Sequence, residues 1–192
     1  MALLLLTFLL ACVPTQEKKI QISGNTYARG FSITMHQGYK KIVIYNTFTA
    51  KGQEFLLVPK TEIKKIDTDL TILRTPLESI VLTSSSHVPY LELLDEESAL
   101  VGFPNTDFIS SPKTRKLIDS NKIRDLGTSE NLNTEILLSL KPDLLMGFAV
   151  GKISKSLELV EKNGIPVLVN NDWQEETPLG RVEWLRLFGA LF

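Results

Sequence analysis

An α/β fold is predicted by three features of the sequence. Past Pro76, short and largely apolar runs recur: Ile80-Val81-Leu82-Thr83, Leu100-Val101-Gly102-Phe103, Asp143-Leu144-Leu145-Met146-Gly147-Phe148 and Ile165-Pro166-Val167-Leu168-Val169-Asn170. Strands covered on both faces read this way, because neither side chain direction meets water. Between these runs lie stretches of helical periodicity with capping residues at their starts, the alternation expected of a parallel sheet flanked by helices. Before Pro76, β-branched and aromatic residues alternate between turn residues, which predicts a small antiparallel meander.

In chain order, the meander occupies residues 20–75. Phe31-Ser32-Ile33-Thr34 alternates, His36-Gln37-Gly38-Tyr39 can turn, Ile42-Val43-Ile44-Tyr45 and Phe55-Leu56-Leu57-Val58-Pro59 follow, and Gly52 sits at the second turn. The α/β unit takes residues 76–177. Ser84-Ser85-Ser86-His87 leads from the first strand into a helix with Pro89 in its first turn and Val88, Leu91 and Leu94 on one side. A helix follows Ser111-Pro112, another is capped by Asn133 and stopped by Lys141-Pro142, and a third from about Ile153 ends at Asn163-Gly164. The segment 178–192 opens on Pro178 and carries Val182, Leu185, Phe188 and Ala190 at helical spacing. A helix cut there is expected to fray and to expose Phe192.

The N-terminus reads differently. Met1–Ala11 is uncharged and rich in Leu and Phe, too short to span a bilayer as a helix, and fits the apolar region of an export signal, though no Lys or Arg precedes it. Leu9-Leu10-Ala11-Cys12 then places small Ala11 before the single cysteine, as in a lipobox where Cys12 is acylated, so a membrane anchor through lipid is expected. Residues 12–19 form the polar tether. With 21 basic and 22 acidic residues, the net charge of -1 supplies no long-range attraction for nucleic acid or anionic membranes.

Val101-Gly102-Phe103, Asp125-Leu126-Gly127, the run Asn131-Leu132-Asn133-Thr134-Glu135 through Lys141-Pro142-Asp143-Leu144-Leu145, and Gly164-Ile165-Pro166-Val167 together resemble the periplasmic-binding domain of iron-siderophore, haem and cobalamin importers. The resemblance implies a Rossmann-like lobe, with segment 178–192 as the start of an interlobe helix and a second lobe missing from the chain. It implies an extracytoplasmic, lipid-anchored binding protein in the periplasm or at the cell surface. Such a protein takes a metal chelate to an ABC permease, with Glu135 as the carboxylate that docks on permease arginines.

In open parallel sheets, ligands sit beyond the carboxyl ends of the strands. Candidate ligand contacts there are Ser85, Ser86 and His87, Phe148 at a strand tip, Trp173 in Asn170-Asn171-Asp172-Trp173-Gln174-Glu175, and more weakly Phe103. His87 reads more readily as a capping or packing residue, while the serines read equally as helix caps and Phe148 equally as core. No catalytic residue, resident metal or cofactor is expected, since glycine-rich phosphate loops, Gly-x-Ser-x-Gly elbows and clustered metal-ligand spacings are absent from the sequence. The competing readings are a hydrolase using Ser85 or Ser86 with His87, and a lipid-anchored interaction module without transport.

Overall fold

The computed structural model describes residues 24–45, 52–62 and 66–192. The signal segment, Cys12 and the tether lie outside the described residues.

β1 (Phe31–His36) and β2 (Tyr39–Ile44) form a hairpin in which His36 faces Tyr39, leaving Gln37-Gly38 as a two-residue turn. Such tight turns need left-handed backbone, and Gly38 supplies it at φ 87°. β3 (Gln53–Pro59) continues antiparallel to β2. A fourth strand, β4 (Thr71–Thr75), joins β3 in parallel, an addition to the antiparallel meander that residue alternation did not signal.

The second sheet contains β5 (Ile80–Leu82), β6 (Leu100–Phe103), β7 (Arg124–Asp125), β8 (Leu144–Gly147) and β9 (Val167–Val169), ordered β7-β6-β5-β8-β9. Every neighbouring pair is parallel. The two-residue period of a strand sorts the apolar residues onto two faces. Val81, Leu145 and Val167 enter one cluster with Leu137, Leu157 and Val160. Ile80, Leu82, Leu144, Met146 and Leu168 enter the other, which also contains Phe31, Ile42, Ile44, Phe55 and Leu57 of the first sheet. The two sheets therefore share one core.

Among the described residues, six α-helices cover these faces: α1 (Val88–Leu93), α2 (Pro112–Asp119), α3 (Thr134–Leu140), α4 (Lys155–Lys162), α5 (Pro178–Glu183) and α6 (Leu185–Leu191). Their ends follow local chemistry. Asn133 accepts from the Ile136 N–H, Ser154 from Leu157 and Thr177 from Gly180, each meeting an otherwise orphaned donor of a first turn. Lys141 at φ 48° ends α3, and Gly164 at φ 86° follows α4. α4 packs closely because β8 ends in glycine: a Cβ on Gly147 would lie 2.9 Å from Leu157 Cδ1.

Segment 178–192 departs from the expectation of one continuous, frayed helix. It breaks at Trp184 into α5 and α6. The break lets Trp184 turn fully into the core, against Phe31 at a ring separation of 4.8 Å, with its indole N–H donating to Glu175 Oε1 at 2.9 Å. Leu187, Phe188 and Leu191 are buried, Phe192 is half-buried against the same cluster, and the Leu77 N–H donates to the Leu191 carbonyl at 2.9 Å.

Two carboxylates and one amide fasten the sheets together. Glu175 accepts from the N–H groups of Arg29 and Gly30 at 2.8–3.0 Å besides the Trp184 indole. Glu183 accepts from the N–H groups of Thr26, Tyr27 and Ala28 at 2.7–2.8 Å and from Arg186. The Gln53 side chain of β3 pairs with the outer edge of β9, donating to the Val167 carbonyl at 3.0 Å and accepting from the Val169 N–H at 2.8 Å.

Removing Glu175 strands three donors, two of them on backbone that cannot move away, so Glu175→Ala should cost on the order of 3 kcal/mol. Glu175→Gln, which keeps an acceptor, should cost less; thermal denaturation should rank wild type above Gln above Ala. Burial alone would raise the Glu183 pKa, but the N–H groups of Ala28, Thr26 and Tyr27 together with Arg186 outweigh it and hold the carboxyl below the ordinary 4.5. A depressed folded pKa gives stability that is fully present above 4.5 and lost as pH falls through the folded value. Denaturation midpoints of wild type and Glu183→Gln should therefore differ at neutral pH and converge well below pH 4.5.

Candidate ligand-binding edge

Chain order and strand order together locate the place where a ligand fits. From β5 the chain moves outward through β6 to β7, then crosses back to place β8 on the other side of β5 and β9 beyond it. The direction of winding thus reverses between β5 and β8. Loops leaving those two strands diverge, and a crevice opens outside their carboxyl ends.

A hollow of about 250 Å³ occupies that crevice. Thr83 follows β5, Phe148 follows β8, and Ser129, Glu130, Lys152 and Ser154 complete the polar wall, with Leu132 and Leu157 as apolar floor. A second hollow of about 240 Å³ lies across the β5 loop, lined by Ser85, Ser86, Phe108, Ser110 and Ser111. The two flank Ser84, whose hydroxyl shares a 2.8 Å hydrogen bond with Ser86.

Ser85 and Ser86 are exposed and line the second hollow; Phe148 is half-buried and lines the first. Trp173, 43% exposed, stands in the loop after β9. These residues all follow carboxyl ends of the one sheet. His87 and Phe103 are placed otherwise. Phe103 is 2% exposed, within the core. His87 is fully buried, tilted against Phe188 with ring centres 6.3 Å apart, and its Nε2 lies 3.5 Å from Asp172 Oδ1. Neither ring nitrogen of His87 has a hydrogen-bond partner, so the Ser–His pairing that a hydrolase would use is not assembled. Glu135 is exposed in the first turn of α3, beyond the carboxyl end of β7.

Beneath the edge is a layer of buried polar side chains that residue patterns did not single out. Asn171, fully buried, accepts through Oδ1 from the Ala149 N–H at 2.9 Å and from the Trp173 indole N–H at 3.3 Å. One amide oxygen thus joins the loop after β8 to the aromatic on the loop after β9. Asn170 Oδ1 accepts from the Asp172 N–H at 3.0 Å, and Asp172 Oδ2 accepts from the Tyr90 hydroxyl at 3.2 Å. The single proton of that hydroxyl is shared with the Arg181 carbonyl, the nearer of the two acceptors at 2.7 Å. Burial first, then the neighbouring Asp172 carboxylate, push the Tyr90 phenol well above its ordinary range, so it stays a donor. The outer part of the loop is held by Arg181, which donates to the Trp173 carbonyl at 3.1 Å.

The residues missed in the sequence have a common reason. Ser129 and Glu130 follow β7, only two residues long and polar, Arg124-Asp125, which carries no strand pattern from which a loop position can be read. Lys152 and Ser154 follow Gly151 in a stretch whose polarity marks it only as loop. The sequence places Asn170 and Asn171 only as a strand end and a polar neighbour of Trp173, yet both are fully buried.

Replacing Asn171 by Leu removes the shared acceptor and leaves two donors without it, at a cost of about 1–3 kcal/mol. Acrylamide quenching of Trp173 should rise in Asn171→Leu and return toward wild type in Asn171→Asp, which retains an oxygen at the bridging position; Trp184, fully buried, contributes an unquenched background.

No protein-family model matches the chain. Two proteins of Methanocaldococcus jannaschii described as uncharacterized lipoproteins are similar to it, one 29% identical over 185 residues and the other 24% identical over 157. The alignments cover 92% and 74% of this chain, which spans only 45% and 37% of those relatives. Among solved structures, a petrobactin-binding protein of Bacillus subtilis is 18% identical with a TM-score of 0.45, over 60% of this chain and 39% of that one. A periplasmic haem-binding protein of Pseudomonas aeruginosa is 23% identical with a TM-score of 0.43, over 60% and 40%. The periplasmic vitamin B12-binding protein of Vibrio cholerae is 16% identical with a TM-score of 0.42, over 59% and 48%.

Proposed function

We propose that the chain is the ligand-capturing part of an extracytoplasmic substrate-binding protein, anchored through lipid at Cys12, that takes a metal chelate of the siderophore, haem or cobalamin kind and delivers it to an ABC permease. The observation that carries this reading is the open hollow at the switch point between β5 and β8, with Phe148 in its wall and Trp173 on the adjoining loop. Aromatic faces beside hydroxyls suit a ligand with a broad apolar or conjugated surface and polar groups at its rim.

The description of both curated relatives as lipoproteins supports the anchor at Cys12. Glu135, exposed at the start of α3, suits an oriented clamp by permease arginines, since a carboxylate in a first helical turn is favoured there and Arg binds it in a fixed geometry.

Titrating the full chain with a ferric siderophore, haem and cobalamin while following tryptophan fluorescence should give saturable quenching by at least one of them. Trp173→Ala should weaken that binding about tenfold, roughly the loss of one aromatic contact of 1.4 kcal/mol, without lowering the denaturation midpoint. Absence of binding by all three, measured also by calorimetry, would remove the reading.

A further inference from the structure

We infer that this edge selects a chelate of low net charge that offers hydroxyl, amide or carbonyl groups, in preference to a strongly anionic one. The inference rests on the binding function proposed above and names the class of ligand for that site.

The polar wall of the switch-point hollow consists of three hydroxyls, Thr83, Ser129 and Ser154, with one anion, Glu130, and one cation, Lys152, both exposed. The opposite charges balance, so the hollow carries no net charge. The second hollow adds four hydroxyls, Ser85, Ser86, Ser110 and Ser111, beside the 71% exposed Phe108. A hydroxyl both donates and accepts, and so matches ligand carbonyl, amide or hydroxyl groups without requiring charge.

Two guanidinium groups near this edge, those of Arg115 and Arg181, are engaged within the protein. Arg115 donates to the Thr106 carbonyl at 2.9 Å and lies 3.4 Å from Asp119 and 3.8 Å from Asp107. Arg181 donates to the Trp173 carbonyl. Drawing an anionic chelate out of water into these hollows would strip its hydration, and a lining without excess positive charge returns too little Coulomb energy to offset that cost. A chelate whose metal charge is already balanced by its own ligand atoms pays no such penalty. The hollows, one on each side of the Ser84 ridge, then offer hydroxyls to two parts of its rim.

Two ferric complexes of similar size separate the cases: a ferric trihydroxamate, of low net charge, and a ferric tris-catecholate, strongly anionic. The full chain should bind the trihydroxamate at least about tenfold more tightly, with little dependence on salt. Glu130→Lys, which replaces the balanced pair by two cations, should tighten the tris-catecholate about tenfold at low salt and leave the trihydroxamate within about twofold. Tighter binding of the tris-catecholate by the wild-type chain would overturn the inference while leaving the binding function standing. An unchanged tris-catecholate affinity in Glu130→Lys would overturn it too, because the ligand would then lie away from this hollow. Failure of both complexes, and of haem and cobalamin, to bind would remove the function itself and the inference with it.

Discussion

The Glu175 carboxylate is the interaction on which the arrangement of this chain depends. Its oxygens accept from the Arg29 and Gly30 N–H groups just before β1, and from the indole of Trp184 at the break between α5 and α6. The segment before β1 and the helical segment at Trp184 converge on one buried carboxylate. Without it, the polypeptide entering the first sheet and the Trp184 indole would both need other acceptors, and the core around them is apolar: Phe31, Phe188 and Leu187. A buried carboxylate is tolerated only with such donors around it, so the requirement runs both ways.

From this fastening follows the stiffness of the edge. The loop after β9 leads within a few residues from Asn170 through Trp173 to Glu175, so its far end is fixed by the same carboxylate. Its near end is fixed by Asn171, which reaches across to the loop after β8. Between them Asp172, next to His87 and hydrogen-bonded to Tyr90, ties it to α1. A ligand meeting Trp173 therefore meets a side chain whose supports are already in place, and the ordering cost that a mobile loop would add to binding is reduced.

The architecture was legible wherever the apolar pattern was continuous. β5, β6, β8 and β9 are such runs, and their alternate residues divide between two core clusters as a doubly covered sheet demands. Helix ends were legible through Asn133, Lys141 and Gly164, because caps act locally. β4 and β7 were not, since pairing partners rather than their own residues make them strands. The site divided along the same line. Exposed residues after strong strands, Ser85, Ser86 and Trp173, could be read from position; the interior placement of His87 could not, because a histidine in a polar loop gives no sign that Phe188 of α6 will cover it. Asn171 was obscured for the opposite reason, as its type suggests a turn while its work is in the interior.

The residues that carry the resemblance to periplasmic-binding domains prove to have structural duties in this chain, which separates what that resemblance says about fold from what it says about ligand. Asn133 caps α3, Lys141 adopts the left-handed turn that ends it, and Asp143 accepts from the Glu78 and Ser79 N–H groups at 2.8 and 3.1 Å, aligning the starts of β8 and β5. Asp125 does the same at the other margin, accepting from Thr106 and Gly127. These side chains are committed to backbone, and a group so committed has little capacity left for cargo. Glu135, in the same motif, is exposed in the first turn of α3. The residues proposed to meet a ligand, Thr83, Phe148, Lys152, Ser154 and Trp173, stand on loops outside the motif. A scaffold built this way can keep its motif while its edge changes, so the charge and hydroxyl content of those loops, more than the fold, sets what the protein can hold.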